Sequence, residues 1–235
     1  MNFQAYSVIA SILLSVVTYA SGSDTKTKFL IPDDTRSPDG LYGVTVPIFA
    51  LTKDDKPEPT NKLVEIRTGQ VLAIIHANPG YDRALNYHEI LPSRWSPDGS
   101  LLLWEIDGKW FSDALVLLRL ENGKVAWQRN LLRLAQEAIL ARTRKAAPER
   151  YAAARKANAG NGSAYPDGFS IGVDAAAKLA LPLRVQAFLT SDPKATGQIP
   201  KLESHLDAII DTQGKFKVTD FRLGHVKSHY FLTGP

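Results

Sequence analysis

The chain has 235 residues, 44% of them hydrophobic and 22% charged, a globular composition that excludes a disordered or fibrous protein. It contains no cysteine, which excludes a disulfide framework, a thiolate metal centre and a cysteine nucleophile. The formal charge of +4 is unevenly spread: from Arg133 to Lys156 seven cations (Arg133, Arg142, Arg144, Lys145, Arg150, Arg155 and Lys156) stand against two anions (Glu137 and Glu149), an excess larger than that of the whole chain. That segment reads as a solvated helix face, and it would otherwise suit an acidic partner or a peripheral anionic surface rather than nucleic acid, which an exported protein is not expected to meet.

At the N-terminus, Tyr6 to Ala20 is a short apolar run broken by serine and threonine and followed by small residues, the pattern of a secretory signal peptide. The run is shorter than the roughly 20 residues of a spanning helix. A secreted or periplasmic protein cut after Ala20 or Gly22 is therefore expected in preference to a membrane-anchored one. Residues 1–22 are then the signal peptide, and residues 23–235 a single antiparallel β domain on one core, with a helical insertion at 130–158.

After a polar tether comes a Ser-Pro-Asp-Gly turn at Ser37 to Gly40, and Leu41 to Ala50 follows as a strand with Pro47 marking an edge or an end. Lys53 to Asn61 reads as an exposed loop. Leu63 to Ile66 and Gln70 to His76 flank Arg67-Thr68-Gly69 as a hairpin. The best-specified stretch is Arg94 to Ile106, where a second Ser-Pro-Asp-Gly turn separates two strands. Pro97 presets φ, Asp98 can bond its own backbone, and Gly99 accepts a positive φ. Leu101 to Trp104 then run apolar on both faces, as a strand covered on two sides would. Asn122-Gly123 between the apolar runs Ala114 to Leu120 and Lys124 to Gln128 predicts a two-residue hairpin.

At Asn130, placed as N-cap, the period changes to that of a helix with Leu131, Leu134, Ala135, Ala138, Ile139 and Ala141 on one side. Pro148 predicts a break near Ala147 and a second, weakly packing helix from Pro148 to Ala157. A glycine-rich loop, Asn158 to Gly168, precedes strands at Phe169 to Val173, Leu183 to Thr190, His205 to Asp211 and Lys215 to Leu223, the last two joined at Thr212-Gln213-Gly214. The fold class is thus mainly β (α+β): antiparallel sheets built from hairpins, with one long basic helix, broken near Pro148, inserted between two β portions.

The two Ser-Pro-Asp-Gly copies, the second running on through Ser100 to Trp104, resemble the WD40-like propeller repeats of exported bacterial proteins. The resemblance implies the local hairpin and a binding scaffold. The copies begin at Ser37 and Ser96, farther apart than the roughly 40 residues of a propeller blade, and the helical segment follows before any further copy appears.

Chemistry is sparsely signalled. Tyr81, Asp82, Arg83, Tyr87, His88 and Glu89 put aromatic, acid, base and guanidinium groups in one loop, and with Trp110 nearby they could line a shallow groove for a glycan or an envelope peptide. In an alternative reading as a hydrolase of polysaccharide or peptide, Asp82, His88 and Glu89 would supply acid and base. The loop Gly160 to Gly168 resembles the short Ser/Gly/Tyr loops with which periplasmic lysozyme inhibitors plug their target, which would make Ser163 and Tyr165 partner-binding residues. His205 and Asp207 alternate onto one face of a strand and read as a surface polar stripe. His225 and His229 lack an obvious third ligand, so no metal site and no cofactor is implied. The expected function is an exported, non-catalytic binding or envelope-associated module.

Overall fold

The structure is a computed structural model that describes residues 28–57, 59–75, 89–90, 94–107, 112–159, 165–191 and 201–225, with backbone only at 89, 90 and 107. It is mainly β, with helices between β portions. The first sheet has the order β1 (Phe29–Leu30), β2 (Tyr42–Pro47), β3 (Lys62–Glu65), β4 (Val71–Ile74). The second runs β5 (Glu89–Ile90), β7 (Leu101–Asp107), β8 (Ser112–Glu121), β9 (Lys124–Asn130), and the short β6 (Arg94–Trp95) also pairs with β7. After the helices, β10 (Ser170–Ala175), β11 (Leu183–Thr190), β12 (Glu203–Ile210) and β13 (Phe216–Leu223) form a third sheet in chain order. All pairings are antiparallel.

The second sheet is the middle layer, and its sequence dictates that. Register pairs Leu102 with Leu118, Trp104 with Val116 and Ile106 with Ala114 on one face. All six are fully buried, against Val44, Val46, Leu63 and Ile75 of the first sheet and the residues next to it. Leu101, Leu103, Leu115 and Leu117 line the opposite face and pack with the helices and the third sheet. Because side chains alternate with period two, a strand apolar at every position must be covered twice. The buried apolar residues accordingly gather in two layers, one on each side of β7 and β8.

The helical segment lies on the third-sheet side. In α2 (Leu131–Ala146), which follows the single turn α1 (Phe49–Thr52) in chain order, the Asn130 side chain caps the start by accepting from the Arg133 N–H at 3.0 Å. Leu131, Ala135, Ile139 and Thr143, four apart, form its buried row, whereas Ala141, expected on the inner side, is exposed. Thr143 Oγ1 meets Ser204 Oγ of β12 at 2.6 Å, a buried polar tie between helix and sheet. The break falls at Ala147: its N–H closes α2 on Thr143 O at 2.9 Å and its carbonyl opens α3 (Pro148–Ala157) on the Tyr151 N–H at 2.9 Å. Pro148, which has no N–H to donate, thus sits in a first turn where none is needed.

Both Ser-Pro-Asp-Gly turns have the same wiring. Ser37 and Ser96 hydroxyls donate to Asp39 and Asp98 Oδ1 at 2.6 Å, and Gly40 and Gly99 N–H donate to Ser37 and Ser96 carbonyls at 2.9 Å. Hydrogen bonds to the ionised form hold both carboxyls below the usual carboxylate range, the serine hydroxyl being the largest cause. A third, related turn, missed in the sequence, opens the third sheet. Gly168 N–H donates to Tyr165 O at 2.8 Å across Pro166-Asp167, but no serine is present, and Asp167 instead accepts the Tyr151 hydroxyl of α3 at 2.6 Å and faces Arg155 at 3.5 Å. Each sheet thus has a Pro-Asp-Gly reversal ahead of β2, β7 or β10.

Three differences from the sequence reading have local causes. The strand expected over Leu41 to Ala50 stops at Pro47, which cannot donate to the ladder, and Phe49–Thr52 closes as one helical turn through Lys53 N–H to Phe49 O at 2.9 Å. The loop from Lys53 to Asn61 is anchored at its end, since Asn61 is fully buried and donates to Thr45 O at 3.2 Å. Part of the Asn158 to Gly168 loop is a 3-10 turn, Pro166–Gly168, with Asp167 in the left-handed region at φ 52°.

The junction of second and third sheets is stitched by arginines. Arg94 donates to Ala175 and Ala176 carbonyls at 3.4 and 3.2 Å, Arg119 to Thr212 O, and Arg129 Nε to Gly214 O at 2.7 Å. Gly214 has φ +73°, and a Cβ there would lie 2.8 Å from Trp127 Cδ2, whereas at Gly99 (φ +69°) it would meet nothing closer than Asp39 Oδ2 at 3.9 Å. Gly99→Ala should therefore cost about 1 kcal/mol, from backbone strain alone. Gly214→Ala should cost about 2–4 kcal/mol, since the strain is joined by overlap with the Trp127 ring. Urea denaturation of the two variants checks this; equal costs would reject the Trp127 seat.

Candidate functional site

Where the second Ser-Pro-Asp-Gly turn approaches the ends of the third sheet, a groove of about 360 Å³ opens. Leu101, Leu179 and Leu181 lie along it, the first two continuous with the buried layer beneath, and Pro97 and Ala180 add apolar wall. Polar groups sit at the rim: Ser96, Asp98, Ser100, Arg119, Thr212 and Lys178. A concave, mostly apolar surface with a few convergent polar groups is the usual form of a ligand site.

The rim groups are not equally available. Asp98 is committed to its own turn, accepting from the Ser96 hydroxyl, the Ser100 hydroxyl at 2.8 Å and the Ser100 N–H at 3.1 Å. Arg119 is held by the Thr212 carbonyl and pairs with Glu121 at 2.8 Å. Lys178 is exposed and makes no ion pair or hydrogen bond among the described residues. An ammonium over a leucine floor offers an anionic group a strong, charge-assisted hydrogen bond and an apolar body a dry wall. The sequence carried a signal for this: Leu179 and Leu181 alternate with small residues in a stretch between strands, beside a lysine, where a connecting loop has no need of large apolar side chains.

A second polar constellation covers the outer face of the third sheet. Register sets Gln186 opposite Asp207 and Phe188 opposite His205. Asp207 accepts from Gln186 Nε2 at 2.7 Å and from Arg222 Nη2 at 3.2 Å, and Arg222 also pairs with Asp220 at 2.9 Å. At the end of the sheet, Glu203 binds Lys201 at 2.8 Å and His225 Nδ1 at 3.3 Å, and these contacts, Lys201 first, lower its carboxyl. The expected surface stripe holds for Asp207 and fails for His205, which is 5% exposed and stacked on Phe188 at 4.5 Å. Neither ring nitrogen has a hydrogen-bond partner among the described residues, and Nε2 stands 3.7 Å from Asp207 Oδ1. His205 thus stands beside a carboxylate without a hydrogen bond to it among the described residues.

Of the sequence-predicted site residues, the structure describes only Glu89 and Tyr165. Tyr81, Asp82, Arg83, Tyr87, His88, Trp110 and Ser163 lie outside the described residues. Glu89 begins β5, its backbone paired with Asp107. Tyr165 is half-buried at the entrance to the third Pro-Asp-Gly turn, where its carbonyl accepts from Gly168. Among the described residues no three His, Asp or Glu side chains gather as a metal site, and no helix is long and apolar enough to cross a membrane. A scan against protein-family models finds no match, and neither does a search of the curated proteins.

Burial of His205 lowers its pKa below 6.5, partly opposed by Asp207 and Asp220 and reinforced by Arg222. A histidine depressed in the folded state protonates first in the unfolded chain, so the associated stability is fully present above about pH 6.5 and is lost as pH falls below it. The urea midpoint should therefore drop between about pH 7.5 and pH 5.5. In His205→Phe, which keeps the ring stack and removes the titration, the drop should be smaller. An identical pH dependence in both proteins would show that His205 titrates alike folded and unfolded.

Proposed function

We propose that this protein is a non-catalytic binding module of the cell envelope, and that its groove takes a ligand with an apolar body and an anionic end. The observation that carries this is the Lys178 ammonium, free of protein partners among the described residues, at the rim of a groove floored by Leu101, Leu179 and Leu181. The groove is built on rigid elements: on one side a turn closed by the Ser96 and Asp98 side chains, on the other an arginine-clamped hairpin. Pre-formed walls lower the ordering cost of binding, which favours recognition. Export is supported by the apolar N-terminal run followed by small residues, and a binding role by the resemblance of the Ser-Pro-Asp-Gly hairpins to repeats that serve as scaffolds.

Anilinonaphthalene sulfonate, whose fused rings and sulfonate match this chemistry, is a suitable probe. Fluorescence titration should give saturable binding. Lys178→Ala should weaken it about three- to tenfold by removing one exposed charge contact, and Ala180→Trp, which fills the groove from an exposed position, should abolish it. Retention of full affinity in both variants would reject the groove as the site.

A further inference from the structure

The structure separates the charges that neutralise one another from those that do not. On and beside the outer face of the third sheet, Arg222, Lys201 and Lys217 each meet a carboxylate, at 3.2, 2.8 and 2.7 Å, and Arg184 alone of the exposed arginines there has none among the described residues. Along the helical segment the balance is different. From Arg142 to Lys156 there are six cations and one anion, Glu149. Arg155 pairs with Asp167 and Arg150 donates to the Lys201 carbonyl at 2.8 Å. Arg144, Lys145 and Lys156 are exposed and have no carboxylate partner among the described residues. Arg144 and Lys145 end α2 and Lys156 ends α3, positions where a cation also meets the negative end of the helix dipole. The dipole accounts for cations in the last turns, but not for the near absence of acidic residues between them.

What surrounds these cations decides the class of partner. Ala146, Ala152, Ala153, Ala157 and Ala159 are exposed, while the large apolar residue of α3, Tyr151, is buried against Phe169 with ring centroids 4.7 Å apart. Protein interfaces centre on aromatic or arginine anchors seated in pockets, and a smooth alanine surface offers no such pocket or apolar anchor. It also lacks the apolar face with which an amphipathic helix inserts among acyl chains. A diffuse array of cations on a smooth surface matches a diffuse array of phosphates, as at a charged membrane surface.

We infer that the exposed cations in the last turns of α2 and α3 form a docking surface for the anionic headgroups of a lipid bilayer. Arg144, Lys145 and Lys156 make the contact, which is peripheral, electrostatic and reversed by salt. It is separate from the groove at Lys178 and would orient the protein on the membrane without insertion.

The test is co-sedimentation of the full chain with vesicles of phosphatidylglycerol and phosphatidylcholine, set against vesicles of phosphatidylcholine alone. Binding that depends on phosphatidylglycerol and falls about tenfold or more between about 50 mM and 500 mM salt is expected. The triple variant Arg144→Glu, Lys145→Glu, Lys156→Glu should lose it. A control triple, Lys53→Glu, Lys124→Glu, Lys215→Glu, changes net charge equally at other exposed positions and should retain most of it; circular dichroism confirms that both variants are folded. Equal loss in both triples would overturn the assignment, because net charge alone would then suffice. So would equal binding to phosphatidylcholine alone, no binding to either vesicle, or capture by poly-glutamate in preference to the anionic vesicles, which would indicate an acidic polypeptide as partner.

Discussion

The constraint on which the architecture depends is the double-sided apolarity of β7 and β8. Alternation sends Leu102, Trp104 and Ile106 to one face and Leu101 and Leu103 to the other, and β8 repeats the pattern with Ala114, Val116 and Leu118 against Leu115 and Leu117. Neither face can be left in water at about 25 cal/mol for each square ångström exposed. Both neighbouring sheets are therefore required. The first is tied across by the Trp95 indole donating to Thr35 O at 3.2 Å, and the third by Arg94, Arg119 and Arg129 donating to its carbonyls. Those carbonyls lie beside or beyond strand ends, where an arginine fork can satisfy them.

One local device is used at three entrances and altered at the third. Where serine precedes Pro-Asp-Gly, its hydroxyl fixes the aspartate inside the turn and the turn is self-contained. At Tyr165 the serine is absent, and Asp167, held at positive φ, turns to Tyr151 and Arg155 of α3. Burial, and then the hydrogen bond to that carboxylate, push the Tyr151 hydroxyl well above its ordinary pKa, so it remains a donor. The turn that opens the third sheet thereby also fastens the helical segment. The groove follows from the same contrast: a self-contained turn at Ser96 leaves its outer wall free to face Leu179 and Leu181 rather than to supply a neighbour with bonds.

The two polar surfaces of the molecule contrast in how their charge is balanced. The outer face of the third sheet pairs most of its charges internally, with Asp207 shared between Gln186 and Arg222, and it also presents an edge strand, β13, bearing Lys217, Asp220 and Arg222, which discourages edge-to-edge pairing. Asp174 on β10 is half-buried and its carboxyl is raised by burial, with Arg94 opposing. The helical segment, by comparison, is cationic with little internal compensation. A surface of the first kind serves solubility and strand specificity; one of the second kind exerts a field on its surroundings.

Local chemistry was legible in the sequence. Asn122 at φ 51° and Gly123 at φ 73°, the Asn130 cap, the interruption at Ala147 and the strand that needed covering on both faces all follow from residue type and period, because turns, caps and alternation are settled by neighbours in the chain. The paired strands β8 and β9 around the Asn122-Gly123 turn fit the same rule. What the sequence could not decide was which distant segments meet. That Leu179 and Leu181 would face the Ser96 turn, that Asp167 would find Tyr151, and that His205 would be buried on Phe188 instead of lining a surface are outcomes of sheet register and packing between elements far apart in the chain. Period and composition report which face of an element is apolar; only the tertiary structure chooses what covers it, because many partners satisfy burial equally and the choice falls to shape, hydrogen bonding and chain connectivity acting together.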